Sequence, residues 1–303
     1  MPITRRVYVS MPADKWLQPR QNDFKWGIVA EIEKLGYQTE VFFDPRGKPS
    51  FAAARAWNAA EADLVARHCS GVALIGLPRW QFATPRGEVK LPTEFCHYEG
   101  ALAYRLHLPI LALVQEDAEH RGVFDNSYKG YLGEFPADAG PEWLATQQFR
   151  VPFNYWKEQM SNRRDVFLGY SGTSGGTAQN LKRFLQADLG LTVLDWRTDF
   201  APGRSILQQI EEAATRCTAG IFLFTTDDKL EDQSLTDKAV PRDNVVFEAG
   251  YFAGVKGKDH VLIVRESGAK MPADLGGDIY AALKDKSDIG PIENSVRLFV
   301  GNL

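Results

Sequence analysis

Two halves of this chain carry the same features at the same spacing. Apolar runs that follow a cysteine begin near Gly71 and near Gly220, which lie 149 residues apart in the 303-residue sequence. The carboxylates Glu99 and Glu248 are also 149 residues apart. Because two unrelated features rarely share one spacing by chance, the sequence indicates an internal repeat and therefore two related domains.

Each half alternates strand-like and helical segments. In the second half, residues 177–189 have a helical period, and residues 191–196 and 220–225 are apolar on both faces. Strands of that kind are typical of a parallel sheet that helices cover on both sides. We therefore predict an α/β fold of two tandem flavodoxin-like, doubly wound parallel-sheet domains, residues 1–160 and 161–303.

Residues 205–216 have the period of an amphipathic helix. Ser205 is expected to cap this helix, since a serine side chain accepts hydrogen bonds from the first free N–H groups. Ile206, Ile210 and Ala214 are expected on its buried face.

The carboxyl ends of the predicted strands are polar in the second half. They carry the segments Tyr170-Ser171-Gly172, Trp196-Arg197-Thr198-Asp199 and Thr226-Asp227-Asp228. Ligands of doubly wound sheets bind at these ends. Loops at strand ends are polar in most proteins, however, so this pattern alone is weak evidence for a site.

Glu248 lies inside an apolar run between Asn244 and Phe252. A carboxylate is costly to keep charged in apolar surroundings unless a partner or ligand compensates it, so such a residue often has a function. The alternative is a helix that Asn244 caps and that turns Glu248 towards solvent.

Charge and cysteine content exclude several function classes. The net charge of -4 and the pI near 5.8 argue against a nucleic-acid surface as the main function. No apolar run reaches the ~18 residues of a membrane helix. The cysteines Cys69, Cys96 and Cys217 are far apart, which favours a reducing compartment over a disulfide framework or a zinc site. We therefore predict a cytoplasmic protein without a metal.

The connection over residues 116–164 is too aromatic to be disordered. Its aromatic residues are Phe124, Tyr128, Tyr131, Phe135, Trp143, Phe149, Phe153, Tyr155 and Trp156. We expect it to pack across the first domain or to form the contact between domains, and the alternative is an aromatic ligand cage.

Several segments of the second half occur in an order that is found in one known family. These are Val166–Gly169 with Tyr170-Ser171-Gly172, the turn at 199–205, Thr226-Asp227-Asp228, the run at 242–252 and the segment at 271–277. Together they resemble the TIR-like NAD+-hydrolase domains of bacterial antiphage effectors, such as those fused to STING or to cyclic-nucleotide sensors. The resemblance covers residues 164–303.

The resemblance implies an enzyme that cleaves NAD+ into nicotinamide and ADP-ribose or a cyclic form of it. It implies Glu248 as the catalytic carboxylate, which suits an oxocarbenium-like transition state. Nicotinamide leaves as a neutral group, so no general acid, metal or cofactor is expected beyond NAD+ as substrate. The residues expected to bind NAD+ are Ser171, Gly172, Trp196, Ser205, Asp227, Asn244 and Phe247.

Three roles are expected around this carboxylate. Asn244, one helical turn before Glu248, orients the carboxylate or contacts ribose. Phe247 or Trp196 stacks on a ring of the substrate. Ser171-Gly172 holds phosphate through backbone N–H groups near a helix start.

Each assignment has an alternative. Phe247, Tyr251 and Phe252 equally suit plain core packing, which we favour for Phe252. The pair Asp227-Asp228 equally suits a solvated turn.

The first half is harder to assign. Residues 92–104, with Tyr98 and Glu99, resemble a TIR-like core and also the nucleoside deoxyribosyltransferases, whose glutamate attacks a sugar. This half departs from the pattern after its first strand, where Met11-Pro12-Ala13-Asp14 replaces the Ser-Gly of the second half. The alternatives are a regulatory domain that senses a signal or binds a partner, a scaffold, and a second active site.

Three functions follow from these patterns. The first is an NAD+-cleaving effector of antiphage defence that the first domain regulates, with a cyclic nucleotide or a protein as activator and with homo-oligomerisation on activation. The second is a non-catalytic nucleotide sensor or TIR adaptor. The third is a nucleoside glycosidase or transferase that acts through Glu99.

Overall fold

The computed structural model describes residues 5–85, 87–125, 127, 132–229, 239–272 and 280–303. The chain folds as two compact units, Thr4–Asn162 and, over the described part that follows, Arg163–Leu303. We refer to them as the first and second domains and describe each by itself.

A parallel sheet of five strands forms the first domain. Its elements are β1 (Arg6–Ser10), α1 (Pro19–Glu33), β2 (Gln38–Glu40), α2 (Ala59–Arg67), β3 (Gly71–Gly76), β4 (Pro78–Thr84), β5 (Gly87–Pro92), α3 (Glu94–Arg105), β6 (Ile110–Gln115), β7 (Leu132–Phe135) and α4 (Gln147–Ser161). The strand order is β2-β1-β3-β6-β7, and β4 and β5 form a separate antiparallel hairpin. Helices α1 and α4 cover one face of the sheet, and α2 and α3 cover the other.

The second domain repeats this architecture. Its elements are β8 (Arg164–Gly169), α5 (Gly175–Arg183), β9 (Val193–Asp195), α6 (Trp196–Asp199), α7 (Ile206–Arg216), β10 (Cys217–Phe224), β11 (Asp228–Lys229), β12 (Ala239–Val240), α8 (Asp243–Lys256), β13 (Val261–Glu266), β14 (Ala281–Leu283) and α9 (Gly290–Gly301). The parallel order is β9-β8-β10-β13-β14. Both sheets have the flavodoxin-like order, which confirms the predicted fold class.

The aromatic connection belongs to the core of the first domain. It forms β7 and α4, and Phe135, Phe149, Phe153 and Trp156 are all at most 3% exposed in the cluster under α1 and α4. The expectation that it packs within the first domain is therefore correct, and these four rings do not line a ligand cage. Tyr128 and Tyr131 lie outside the described residues.

Two local predictions for the second domain need correction. The predicted helix at 177–189 begins earlier, as α5, and its last turn is a π-turn over Phe184–Asp188. Ser205 does cap α7, but Ile206 is 63% exposed while Ile210 and Ala214 are buried. Ile206 is the first residue of the helix, where side chains project beyond the packed stripe.

The sequence repeat is one residue out of register in the strands. A β-carbon on Gly71 would meet Met160 of α4, whereas one on Gly220 would meet Phe252 of α8, so the two glycines face opposite sides. The residue that matches Gly220 is Val72, which faces α3. The strands therefore match at a spacing of 148 residues, and the glutamates match at 149.

No helix in the described part of the chain is long and apolar enough to cross a membrane.

Trp156→Ala tests whether α4 is part of the first domain's core. Loss of a fully buried indole should lower the free energy of unfolding of that domain by about 3–5 kcal/mol. The measurement is hydrogen exchange of the full chain across a denaturant series, read on peptides from β1, β3 and β6. Val151→Ala, at a 49% exposed position of the same helix, is the control and should change little. Equal effects of the two variants would contradict the assignment.

Candidate functional site

Glu248 is buried on helix α8. The helix begins at Asp243 after Arg242, so Asn244 is inside its first turn and is not the cap. Glu248 is 8% exposed and shares one helical stripe with Val245, Ala249 and Phe252, all of which pack on the sheet. The alternative in which Glu248 faces solvent is therefore wrong.

One carboxylate oxygen of Glu248 is buried without a hydrogen-bond donor beside it in the described part of the chain. This oxygen is Oε2, and it has no hydrogen-bond partner among the described residues. A β-carbon on Gly169, the last residue of β8, would lie 2.9 Å from this oxygen and would also collide with the ring of Phe222. Burial raises the pKa of Glu248 to about 7. The group therefore titrates near neutrality, and its ionised form is poorly solvated.

The matching carboxylate of the first domain is compensated. Glu99 Oε1 accepts hydrogen bonds from the Tyr8 hydroxyl at 2.6 Å and from Trp57 Nε1 at 2.7 Å. Burial raises the pKa of Glu99, while hydrogen bonding from Ser10, Tyr8 and Trp57 opposes that rise. Two domains of one fold thus hold a buried glutamate, with hydrogen-bond donors around it in the first domain and none at Oε2 among the described residues of the second.

Strand register explains the contrast. Tyr8 of β1 pairs with Val72 of β3, and Phe167 of β8 pairs with Gly220 of β10. Because Gly220 is the residue that matches Val72, Phe167 occupies the position at which the first domain has the tyrosine donor. By the same pairing, Gly169 stands where the first domain has Ser10. Neither Phe167 nor Gly169 has a side-chain donor, which leaves Glu248 Oε2 unpaired.

Hydroxyl groups join the ends of β8 and β10. Ser171 Oγ lies 2.8 Å from Thr173 Oγ1 and 3.1 Å from Ser174 Oγ, and Ser174 in turn hydrogen-bonds Thr225. The hydroxyl of Ser171, a residue expected to hold phosphate through its backbone N–H, is thus engaged in a network that shapes the loop. Gly172 is exposed beside it, at the start of a short 3-10 turn that leads into α5.

Asp227 belongs to the same network. Its Oδ1 accepts hydrogen bonds from Thr173 and from Thr225 Oγ1, the latter at 2.9 Å, and its side chain is fully buried. Lys286 Nζ lies 3.8 Å from Asp227 and 3.5 Å from Glu266. Asp227 is therefore not a solvated turn residue, and the side chain of Asp228 lies outside the described residues.

Arg197 brings a positive charge to the glycine loop. Its NH2 group donates to the Gly172 carbonyl at 3.4 Å, and its guanidinium lies 5.6 Å from the ring of Trp196. Trp196 is half-buried and donates through Nε1 to the Tyr170 carbonyl at 3.0 Å. Trp196 thus packs against the strand end.

The other residues that the sequence suggested for the site are not part of this hydroxyl network. Asn244 is exposed, and Phe247 is 52% exposed and stacks on Tyr251 at 6.3 Å. Ser205 accepts from Gln208 N at 3.5 Å and thus acts as a helix cap. Phe252 is fully buried, as favoured.

Sequence reasoning missed Gly169, Arg197 and Lys286. Gly169 ends a predicted strand, and a glycine there is a signal of close approach by another group. Arg197 was visible in a strand-end segment. Lys286 gave no signal, because it reaches the network from a distant part of the chain. Within the described ranges, no group of three or more His, Cys, Asp or Glu side chains is arranged to hold a metal.

Comparison with known proteins shows what the second domain is similar to. Residues 165–285 match the family model described as CAP12/Pycsar effector protein, TIR domain. The chain is 32% identical over 115 residues to CD-NTase-associated protein 12 of Lachnospiraceae bacterium (strain RUG226), covering 37% of this chain and 35% of that protein.

Two further relatives match similar shares. Uncharacterized protein YuaY of Escherichia coli (strain K12) is 32% identical over 127 residues, or 40% of each chain. Pycsar effector protein BcPycTIR of Burkholderia cepacia is 30% identical over 146 residues, or 46% of this chain and 48% of that protein. The chain thus spans less than half the length of each of these three relatives.

Glu248→Gln tests the electrostatic state of the carboxylate. A carboxyl group with a raised pKa contributes most stability below its unfolded value of 4.5, and that contribution is lost as pH rises through about 7. Relative to the wild type, the variant should gain about 2–3 kcal/mol in free energy of unfolding between about pH 5 and pH 8. Denaturant unfolding of the wild type and the variant at about pH 5 and pH 8 measures this difference in free energy.

The exposed carboxyl of Asp259 supplies the control for this measurement. Asp259→Asn should show no such pH-dependent gain. A Glu248→Gln effect that is the same at both pH values would show that the carboxyl titrates normally.

Gly169→Ala tests the close approach at the end of β8. The new methyl group would meet Glu248 Oε2 and the Phe222 ring, which should cost about 1–3 kcal/mol of unfolding free energy. Gly176→Ala is the control, because a β-carbon there meets nothing within 4 Å on the exposed face of α5. It should be neutral or stabilise by about 0.5–1 kcal/mol. A stabilising Gly169→Ala would refute the contact.

Proposed function

We propose that this chain, whose residues 165–285 form a TIR domain of the CAP12/Pycsar effector type, cleaves NAD+ at the nicotinamide–ribose bond. The observation that carries the proposal is the buried, unpaired carboxylate oxygen of Glu248 at the end of β8. Such a group is destabilising in the free protein, and a ligand that develops positive charge beside it relieves the cost.

The chemistry suits a lone carboxylate. Nicotinamide is a positively charged leaving group in NAD+ and departs neutral with the bonding electron pair, so the protein need not supply a proton. Positive charge then develops on the ribose ring, as in other glycosyl transfers. A carboxylate that is already fixed and shielded from water stabilises this charge more strongly than a solvated one does.

The rest of the strand-end edge supports binding of a dinucleotide. Arg197 and the glycine-containing loop at 172–176 offer a cation and backbone N–H groups for the pyrophosphate. Exposed Phe247 and the partly buried Tyr251 that it stacks on offer an aromatic surface on the helix that carries Glu248. Asn244 is exposed one turn before Glu248 and is suited to a ribose hydroxyl.

We place this activity in antiphage defence, with the first domain as the regulatory part. The support is the likeness to proteins named CD-NTase-associated protein 12 and Pycsar effector. A cyclic nucleotide is the activator that these names suggest, and assembly of several copies is the step expected to switch the enzyme on.

Glu248→Gln should abolish NAD+ cleavage. The amide keeps the size of the side chain but not its charge, and loss of such a preorganised group costs about a hundredfold or more in rate. The assay is nicotinamide release by the full chain, over a series of protein concentrations, with and without cyclic mononucleotides. Asp259→Asn is the control and should retain wild-type turnover. Equal turnover by Glu248→Gln and the wild type would refute the assignment.

The same assay has a pH signature. Because burial raises the pKa of Glu248 to about 7 and the ionised form is the active one, turnover should rise as pH increases through about 7 and then level off. A rate that falls over this range would contradict a carboxylate mechanism.

A further inference from the structure

One face of the hairpin β4–β5 is apolar and partly exposed. In its ladder, Trp80 pairs with Leu91 and Phe82 pairs with Val89. Successive residues of a strand alternate between faces, so these four side chains share one face of the hairpin. Trp80 is 44% exposed and Phe82 is 48% exposed, and none of the four belongs to a hydrophobic cluster of the described residues. The face therefore lacks the packing on a core that apolar strand faces usually have.

The outer edge of β5 is covered. Thr84 pairs with Gly87 across a loop of two residues, so this pair exchanges ladder hydrogen bonds and the pattern alternates from there. By this alternation, the backbone N–H and C=O groups of Lys90 point away from β4. The Lys90 carbonyl accepts a hydrogen bond from the backbone N–H of Glu119 at 2.8 Å, which agrees with this direction.

The outer edge of β4 is free. Gln81 lies opposite Lys90, so the backbone N–H and C=O groups of Gln81 and Ala83 point away from β5. In the part of the chain that the structure describes, neither of these two residues makes a backbone hydrogen bond outside the hairpin, and both are exposed. Residues 80–84 also lack a charge or a proline, which proteins use to protect an edge from other strands. This edge is therefore suited to pair with another strand.

A second copy of β4 complements this edge. When two copies run antiparallel with Gln81 opposite Gln81, each outward N–H group meets an outward C=O group. Trp80 of one copy then lies opposite Phe82 of the other on the apolar face, and aromatic pairs of this kind stabilise a sheet. The rings of the two copies form one row, which removes part of their surface from water.

The charges of the hairpin also fit an antiparallel copy. Arg79 lies at one end of β4, and Glu88 lies beside Ala83 near the other end. In the antiparallel pair, Arg79 of one copy comes to the end at which Glu88 of the other copy lies. Opposite charges thus meet at both ends of the contact, which favours this partner and this direction.

We propose that two copies of the chain pair along β4 and form a four-stranded antiparallel sheet with its two-fold axis at Gln81. This contact would serve the assembly step of the proposed function. It does not rest on NAD+ cleavage, because the mass of the assembly is measured without substrate. Since each strand contributes few residues, the dimer should be weak and should depend on protein concentration.

Sedimentation equilibrium of the full chain tests the pairing. Between about 1 and 100 µM protein, the mass should rise from the 33.9 kDa of one chain towards twice that value. Amide hydrogen exchange of β4 should slow over the same range, because the outward N–H groups become paired. A wild type that stays monomeric up to about 100 µM would overturn the proposal, whatever covers the edge instead.

Gln81→Lys and Gln81→Glu test the register. Because Gln81 faces its own copy, either variant places two like charges on the axis and should weaken the dimer at least about tenfold. A mixture of the two variants places opposite charges there and should restore dimers. Gln148→Lys, at an exposed position of α4, is the matched control and should dimerise like the wild type. Unweakened dimers in the single variants, or no recovery in the mixture, would move the contact elsewhere and overturn the proposal.

Gln81→Pro tests the backbone hydrogen bonds of the edge. Proline lacks the outward N–H group of Gln81, which the hairpin itself does not use, so the hairpin should form while the dimer is lost. Hydrogen exchange of β3 and β6 checks that the first domain is still folded. Dimerisation by a folded Gln81→Pro variant would contradict pairing along β4.

Discussion

Burial of a glutamate beside the carboxyl end of the first strand is the constraint on which both domains depend. The helix after the third strand places Glu99 or Glu248 against that strand end. Removing an ionised carboxylate from water costs several kcal/mol, a large part of the stability of a domain. Burial therefore raises the pKa of both glutamates, and the residues on the facing strand decide whether hydrogen bonds oppose that rise.

The two domains share the sheet order but place different residues against the buried glutamate. In the first domain, Tyr8 and Ser10 face the glutamate, and the indole of Trp57 adds a donor from another loop. In the second domain, Phe167 and Gly169 occupy the facing positions. The first arrangement surrounds the carboxylate with hydrogen-bond donors. The second leaves it poorly solvated, which is the property that the proposed NAD+ cleavage would use.

The sequence was sufficient to predict the doubly wound sheets, because alternating strands and helices leave few ways to cover a parallel sheet. It drew attention to Glu248 but left open whether this side chain is buried or faces solvent. The register of the repeat was not predictable. β3 and β10 are apolar on both faces, so no alternation shows which way Gly71 or Gly220 points. The hydrogen-bond partners of Ser171 and Asp227 were also hidden, because they come from loops far apart in the chain.

The two domains differ most in the loops that surround the carboxyl end of the first strand, β1 in the first domain and β8 in the second. In the first domain, the segment between β3 and α3 forms a hairpin that brings Arg79 to an aromatic cavity over Glu99. In the second, Arg197 packs on the glycine loop after β8, where hydroxyl groups tie the strand ends together. Because both sheets have the same strand order, the loops and the residues on the facing strand account for the different surroundings of the two glutamates. Tyr8 and Ser10, against Phe167 and Gly169, are the facing-strand positions at which the surroundings of the two glutamates differ, and Trp57 adds a donor to Glu99 from a loop.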